Sequence, residues 1–221
     1  MKNIFLCIKM KRITFIFFLL CAFIGLFIFH AYAFYLILNP SVSPIYKAYY
    51  IDRTLDEWID PEKINYTFGN TLSFHKGGKA SNYFGKGFSG QEEWGTWTDG
   101  KEARLYFIPD HPPKNDILLT INGYAFLNTK HTNQIVDIYI NDVFIKTITY
   151  TIKTNDINNS KNIYIPIQKI NTETGFYQIK LKPRNPASPA QFSQSDDTRM
   201  LGVGISSIII KEMPSSTIQR P

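Results

Sequence analysis

An uncharged apolar run of 26 residues, Ile13 to Leu38, most constrains what this 221-residue chain can fold into. A helix needs about 20 mainly apolar residues to cross roughly 30 Å of hydrocarbon, so this run is long enough to span a membrane. Four basic residues and no acidic one precede it. Because basic residues favour the cytoplasmic side, the sequence predicts a cytoplasmic basic tail at 1–12, a transmembrane signal anchor at 13–38 and an exported remainder.

A cleaved signal peptide is the alternative interpretation of the same segment. Ala31-Tyr32-Ala33 matches the small-x-small pattern of a cleavage site after Ala33. The apolar run is longer than a usual signal-peptide core and continues through Phe34–Leu38, which favours an uncleaved anchor. Under both interpretations the remainder is exported. We therefore expect a single-pass membrane protein with its C-terminal domain outside the cytoplasm.

The charge distribution argues against nucleic-acid binding. The formal net charge is +6, but beyond residue 12 the chain carries 20 basic and 18 acidic residues. The basic excess is thus concentrated beside the apolar run, where it orients a membrane span rather than binding phosphates.

The positions of the cysteine residues leave little basis for a disulfide or a thiolate metal site. Cys7 and Cys21 both belong to the anchor region, so the exported part holds no disulfide and no thiolate site. The sequence predicts no cofactor and no metal site. Calcium held by loop oxygens of Asp99, Asp196 or Asp197 stays open.

Residues 39–63 are predicted to be a linker followed by a short helix. Prolines stiffen the linker, and Ile45–Ile59 has apolar residues at roughly helical spacing, which Pro61 would end. This amphipathic helix can lie on the following domain or along the membrane surface, and the sequence does not distinguish the two.

From residue 64 to 212 the pattern changes to short β-strands separated by Gly, Pro, Asn and Asp. The clearest local signal is Asn141-Asp142 between two alternating apolar runs, which predicts a hairpin with a type I′ turn. The fold class is therefore all-β, a jelly-roll-like two-sheet sandwich preceded by the transmembrane and short helices. Residues 213–221 are predicted to be a disordered tail. The candidate strands are Tyr66–Phe74, Ala103–Ile108, Ile117–Ala125, Gln134–Ile140, Val143–Thr151, Asn162–Ile167, Phe176–Lys182 and Gly204–Lys211.

The segment Gly87–Gly100, GFSGQEEWGTWTDG, is the densest group of candidate functional residues. Tryptophan can stack on the apolar face of a sugar while neighbouring polar groups take its hydroxyls. Alternatively, the indoles close one end of the core while the glycines supply tight turns. On one extended strand, two tryptophans three residues apart would face opposite sides. The candidate ligand-binding residues are Trp94, Trp97, Glu92, Gln91, Asp99 and Arg199.

Catalysis is less well supported by this segment. A glycosidase needs two facing carboxylates, and the adjacent Glu92 and Glu93 would point to opposite faces of a strand. A hydrolase using Glu92 or Asp99 is a weak alternative, and no catalytic residue is predicted. Arg199 is expected either to bridge loops to Asp99 or Asp196, or to grip an acidic group of a glycan.

Several motifs resemble an accessory β-sandwich domain with little characterisation. The domain is found after the membrane part of bacterial glycosyltransferases and of sulfatase-like phosphoglycerol transferases of envelope glycans. The resemblance spans roughly residues 70 to 211, although Asp142 stands where glycine is more usual. The motifs are Phe74-x-Lys76-Gly77-Gly78, Gly87-Phe88-Ser89-Gly90-x-Glu92-x-Trp94-Gly95-x-Trp97-Thr98-Asp99-Gly100, Ala103-x-Leu105, Gln134-x-Val136-x-Ile138-x-Ile140-Asn141, Asn185-Pro186-x-Ser188-Pro189 and Asp197-Thr198-Arg199-x-Leu201-Gly202-Val203-Gly204-Ile205-x-Ser207.

The resemblance implies a single sandwich, a place in envelope polysaccharide work and no catalytic residue. It also implies that the membrane is a bacterial inner membrane and the C-terminal domain periplasmic or extracellular. We therefore expect a membrane-anchored, non-catalytic domain that binds an envelope glycan beside a membrane glycan-processing enzyme. The alternative is a structural docking module for a membrane glycosyltransferase or phosphoglycerol transferase, without sugar contact.

Overall fold

The computed structural model describes residues 2–214 apart from 157–158, 171–173 and 194, with side chains from Thr14 onward. The chain divides into two compact units, one ending at Ser43 and the other beginning at Pro44. The first is a helix, α1 (Lys2–Leu38), whose part Thr14–Leu38 has a mean hydropathy of 2.4 and is long and apolar enough to cross a membrane. The helix thus continues through the basic residues that precede the apolar run.

The second unit is a two-sheet β-sandwich of jelly-roll type, as the sequence predicts. It opens with a short helical segment, a helical turn at Pro44–Tyr46 followed by a π-helical turn at Lys47–Ile51. Single 3₁₀ turns connect several strands. The strands are β1 (Asn65–Tyr66), β2 (Thr71–Ser73), β3 (Thr96–Asp99), β4 (Ala103–Pro109), β5 (Ile117–Ala125), β6 (Asn133–Ile140), β7 (Val143–Thr151), β8 (Ser160–Ile165), β9 (Tyr177–Pro183) and β10 (Leu201–Glu212).

The first sheet has the strand order β1-β4-β9-β6-β7 and the second the order β2-β10-β5-β8. In the second sheet β10 is central, because β5 pairs with one of its edges and β2 and β3 pair with the other. Strand β3 pairs with β10 near Leu201–Ile205, and β2 pairs with it near Ser207–Ile209. Apart from the parallel pair β1–β4, the pairings are antiparallel.

The core lies between the two sheets and follows the period of two that strands impose. Along β5 the side chains of Ile117, Leu119 and Ile121 are buried, while the residues between them are half-exposed. Each fully buried aliphatic side chain of this kind contributes about 1.5–3 kcal/mol by leaving water. The sandwich is thus stabilised by its apolar core, without a disulfide among the described residues.

The predicted hairpin is confirmed in its local geometry. Strands β6 and β7 pair directly, and Asn141 and Asp142 between them have φ values of 46° and 63°. Both turn positions are therefore left-handed, which a type I′ turn requires and which Asn and Asp tolerate.

Two predicted elements are shorter than the sequence indicated. The expected strand Tyr66–Phe74 is interrupted by a turn at Gly69, whose φ of +92° suits glycine, so it forms β1 and β2 in different sheets. The expected helix Ile45–Ile59 ends at Ile51, and Arg53 has a positive φ of 55°.

Strand β3 was not predicted from the sequence, because its four residues lie within a segment rich in glycine and acidic residues. The predicted tail at 213–221 lies almost wholly outside the described residues, which end at Pro214.

Candidate functional site

The Trp-rich segment forms a tight turn before β3 rather than one extended strand. The backbone N–H groups of Glu92 and Gly95 each donate to the other residue's carbonyl, at 2.8 and 3.3 Å. Trp94 lies at the tip of this turn, whereas Trp97 is on β3. The expectation that the two indoles face opposite sides is therefore wrong, since its premise of a continuous strand does not hold.

The two indoles meet with Tyr124 in a group of three rings, which we call the aromatic platform. The ring centroids of Trp94 and Trp97 are 5.2 Å apart at 72°, an edge-to-face contact. Tyr124 lies 4.9 Å from Trp94 and 5.1 Å from Trp97. Trp97 is buried, and Trp94 and Tyr124 are half-buried.

The platform lies on the outward face of the second sheet. Gly204 on β10 is paired with both Trp97 on β3 and Tyr124 on β5, so the three positions form one row across the sheet. The neighbours of Trp97, Thr96 and Thr98, are fully buried on the opposite, core-facing side. None of the three platform rings belongs to the core cluster between the sheets.

Gly204 allows the rings to lie directly on the sheet. A Cβ atom at this position would be 2.4 Å from Cη2 of Trp94 and 3.0 Å from Cζ3 of Trp97. Carbon atoms pack at about 3.5–4.0 Å, so any larger residue would displace Trp94.

Charged groups line one edge of the platform. Oε2 of Glu92 accepts from Nε1 of Trp94 at 2.8 Å, and its Oε1 accepts from Nη1 of Arg199 at 3.1 Å. Arg199 also donates through Nε and Nη2 to the carboxylate of Asp197, at 2.7 to 3.1 Å. We call Glu92, Asp197 and Arg199 the charged edge.

The electrostatics of this edge follow from those contacts. Hydrogen bonds from Arg199 lower the pKa of Asp197, and the same carboxylate, together with Glu92, raises the pKa of Arg199. Burial, with the nearby Glu92 charge, raises the pKa of Tyr124. Asp197 and Arg199 are thus ionised at neutral pH, and Tyr124 carries a neutral hydroxyl.

The other two candidate residues hold loops in place. Nε2 of Gln91 donates to the carbonyls of His75 at 3.1 Å and Gly78 at 3.2 Å. Oδ1 of Asp99 accepts from the backbone N–H of Met200 at 2.8 Å. The fold therefore gathers Trp94, Trp97, Glu92 and Arg199, and engages Gln91 and Asp99 with backbone.

The structure corrects the expected ion-pair partners of Arg199. It bridges to Glu92 and Asp197 rather than to Asp99 or Asp196. The backbone explains the choice, because the N–H of Arg199 also donates to Oδ1 of Asp197 and closes a tight local turn.

Sequence reasoning missed Tyr124 as a member of the site. A signal for it exists, because the alternation along β5 places Tyr124 on the outward face, yet an outward tyrosine on one strand does not show which strands lie beside it. Within the described ranges, no group of three or more His, Cys, Asp or Glu residues is placed to hold a metal ion.

The arrangement suits binding better than acid–base chemistry. It offers a half-buried aromatic surface with a carboxylate and a guanidinium along one edge. Both oxygens of Glu92 already accept hydrogen bonds from neighbouring side chains, and no second carboxylate faces it across the platform among the contacts described above.

Comparison with solved structures finds β-sandwich domains at low similarity. A family 35 carbohydrate-binding module from an environmental isolate is 20% identical, with 65% of this chain and 82% of that chain covered at a TM-score of 0.35. The C-terminal CBM6 of LamC from Zobellia galactanivorans is 12% identical, with coverage of 64% and 99% at 0.37.

A third solved structure is the carbohydrate-binding module CBM36 in complex with calcium and xylotriose, 15% identical with coverage of 64% and 99% at a TM-score of 0.35. No curated protein matches the chain. A family model described as "Domain of unknown function (DUF7024)" matches residues 59–212, which is more than half of the chain. The chain therefore belongs to the DUF7024 family.

Proposed function

We propose that this protein is a membrane-anchored, non-catalytic module that binds a glycan of the bacterial envelope. In this proposal Thr14–Leu38 is an uncleaved anchor, and the sandwich lies on the outer side of the inner membrane. The module assists envelope polysaccharide biosynthesis or modification, beside a membrane glycan-processing enzyme. The observation that carries the glycan assignment is the half-buried indole of Trp94, held on the outward face of a sheet beside ionised polar groups.

The position of Trp94 favours a ligand contact over core closure. An indole that closes a core packs between the sheets, whereas this one lies on the outside of the second sheet over Gly204. Its N–H is fixed by Glu92, so the ring is held in one orientation before a ligand arrives. A preorganised ring loses less conformational entropy on binding, which favours affinity.

The polar groups at the edge suit the hydroxyl groups of a sugar. Arg199 and Glu92 supply donors and an acceptor beside the apolar ring face, and Tyr124 adds a hydroxyl that burial and charge keep protonated. Sites for small polar ligands combine an apolar surface with a few fixed polar groups in this way. In the proposed site Trp94, Tyr124, Glu92 and Arg199 contact the glycan, Trp97 supports the ring from below, and Gln91 and Asp99 fix the loops.

The decisive experiment measures binding of the full-length chain in lipid nanodiscs to purified envelope glycans of its host. Trp94→Ala should weaken binding about two- to tenfold, because an aromatic contact is worth about 0.5–1.5 kcal/mol and 1.4 kcal/mol is a factor of ten. Phe144→Ala is the matched control, since Phe144 is an exposed ring on β7 of the other sheet. It should bind like the parent.

Two results would refute the glycan assignment. One is a well-folded parent that binds none of the glycans, and the other is equal weakening in both variants. The first would favour the docking-module alternative, in which the sandwich contacts a membrane enzyme and no sugar.

Membrane topology has its own test. A periplasm-active reporter fused after Pro221 should be active, and a cytoplasm-active reporter at the same place should be silent. The reverse pattern would overturn the export of the sandwich and leave the binding result unaffected.

A further inference from the structure

The short segment after the anchor resolves one alternative that the sequence left open. Ile45, Ala48, Leu55 and Ile59 are buried and belong to the core cluster of the sandwich unit. The segment is therefore packed on the sandwich through one side, although only its first part is helical.

The other side of this segment carries exposed aromatic rings in mutual contact. The centroids of Tyr46 and Tyr50 are 4.7 Å apart, and Trp58 lies 5.5 Å from Tyr50 and 6.4 Å from Tyr46. Tyr46, Tyr50, Ile51 and Trp58 are 41–47% exposed. We call these four residues the aromatic patch.

The patch is unusual for a surface facing water. Scattered exposed apolar residues need no explanation, but contiguous apolar patches mark interaction sites. Among the described residues of the sandwich unit, the other large apolar side chains with comparable exposure are spread over three places, at 143–144, 152 and 164. Those of the patch fall within thirteen consecutive residues.

We propose that the aromatic patch inserts into the headgroup-level interface of the membrane that α1 crosses, so that the sandwich has a second membrane contact. This inference rests on the proposed membrane anchor. Tryptophan and tyrosine are enriched at this depth, because each ring has an apolar body and a polar tip. Three exposed rings in mutual contact, with the exposed Ile51 next to Tyr50 in the chain, match the way an interfacial segment binds lipid.

The short linker after α1 makes the membrane the surface nearest to the aromatic patch. Six Cα–Cα steps separate Leu38, the last residue of α1, from Pro44, where the sandwich unit begins. At about 3.3–3.6 Å per residue the linker spans at most about 21 Å. A patch that begins two residues later is thereby kept at a high local concentration beside the bilayer surface.

The charges of the segment predict which lipids matter. Residues 44–60 contain two basic residues, Lys47 and Arg53, and four acidic ones. The segment therefore has no polybasic attraction to anionic lipid, and its binding should come from the rings alone. The contact should form on zwitterionic phosphatidylcholine and should not strengthen with added anionic lipid.

The test uses the fluorescence of Trp58 in the full-length chain, reconstituted into nanodiscs of phosphatidylcholine with or without bromine on the acyl chains. The chain has three tryptophans, so Trp94→Phe together with Trp97→Phe leaves Trp58 as the reporter. If that variant does not fold, the difference between the native chain and Trp58→Phe gives the same signal. We expect brominated lipid to quench Trp58 at least twofold, and aqueous acrylamide to quench it weakly.

A matched control places a tryptophan at another exposed aromatic position. Tyr164→Trp in a chain that also carries Trp58→Phe, Trp94→Phe and Trp97→Phe reports on β8, where Tyr164 is 62% exposed. That indole should respond to acrylamide and not to brominated lipid.

The outcomes separate the patch from the anchor. If the chain stays with the nanodiscs but acrylamide, and not brominated lipid, quenches Trp58, the membrane contact is refuted and the anchor is unaffected. Shielding of Trp58 from both quenchers also overturns it, and assigns the patch to a protein contact. Loss of the chain from the nanodiscs after detergent removal overturns the anchor and this inference together.

Discussion

Adding one methyl group at Gly204 should separate the binding role of Trp94 from the stability of the fold. In Gly204→Ala the new Cβ would lie 2.4 Å from Cη2 of Trp94, so the ring must retreat by about 1 Å to reach normal contact. Trp94 lies at the tip of a turn, whereas Gly204 lies on a strand paired on both edges. We therefore expect the indole to move and the strand to stay.

The stability change follows from two opposing effects. Overpacking costs about 1–3 kcal/mol, and replacing glycine by alanine at a tolerated position returns about 0.4–1 kcal/mol through the unfolded chain. A net loss of about 1–2 kcal/mol lowers the Tm by roughly 2–8 °C for a domain of this size. Glycan binding should fall about as far as in Trp94→Ala, because the indole no longer lies where Glu92 fixed it.

Two glycines of the Trp-rich segment, Gly90 and Gly95, serve as controls for the same substitution. Gly90 has no atom within 4 Å of a Cβ position, so Gly90→Ala should change neither the Tm nor binding. At Gly95 the Cβ would lie 2.3 Å from the backbone oxygen of Ile205, which cannot move without disturbing β10. Gly95→Ala should therefore cost about 3 kcal/mol or more.

The assay is a thermal melt by circular dichroism, with near-ultraviolet spectra to follow the coupled indoles and glycan titrations at a temperature where all variants are folded. A Tm loss in Gly204→Ala as large as in Gly95→Ala would refute the reasoning, because it would show that Trp94 cannot move independently of the fold. Unchanged glycan binding in a variant whose near-ultraviolet spectrum has changed would equally refute it.

Three further predictions test the packing and the electrostatics. Trp97→Ala should lower the free energy of unfolding by about 3–5 kcal/mol in thermal melts, since Trp97 is buried, whereas the half-buried Trp94 should cost less when truncated. Tyr150→Phe should be neutral or stabilising by up to about 1–3 kcal/mol in urea unfolding, because the hydroxyl of Tyr150 is buried without a hydrogen-bond partner among the described residues. Hydrogen bonds from Arg184 lower the pKa of Asp137. The contribution of Asp137 to stability is therefore fully present above the unfolded pKa of about 3.9 and is lost as the pH falls through the folded value. In melts between about pH 2 and 6, the Tm of Asp137→Asn should fall less steeply with decreasing pH than the Tm of the parent.

The strands could be predicted from the sequence wherever local rules decide the structure. Alternation of apolar residues identified β5, and two residues that tolerate positive φ identified the turn at Asn141–Asp142. These signals work because side-chain direction and turn geometry depend on neighbours along the chain.

The site could not be assembled in this way, because its contacts join distant parts of the chain. Arg199 and Glu92 are 107 residues apart, and their pairing depends on β3 lying beside β10. A single sequence indicates that a strand is half-buried, but not which strand lies beside it. Tyr124 and the Glu92 partner of Arg199 were missed for this reason, whereas the Asp197 partner was missed because it depends on a local turn.

The tryptophans need not share one role, because the structure gives each a different environment. Trp97 is buried against the sheet and supports the ring above it, so its removal should be felt mainly in stability. Trp94 depends on Gly204 for its place and on Glu92 for its orientation, and neither contact belongs to the core. Because the platform lies outside the two-sheet core, the upper ring can be altered while the sandwich remains folded. The proposed binding to an envelope glycan and closure of the turn are therefore compatible within one motif, and the glycine series tests which residue serves which role.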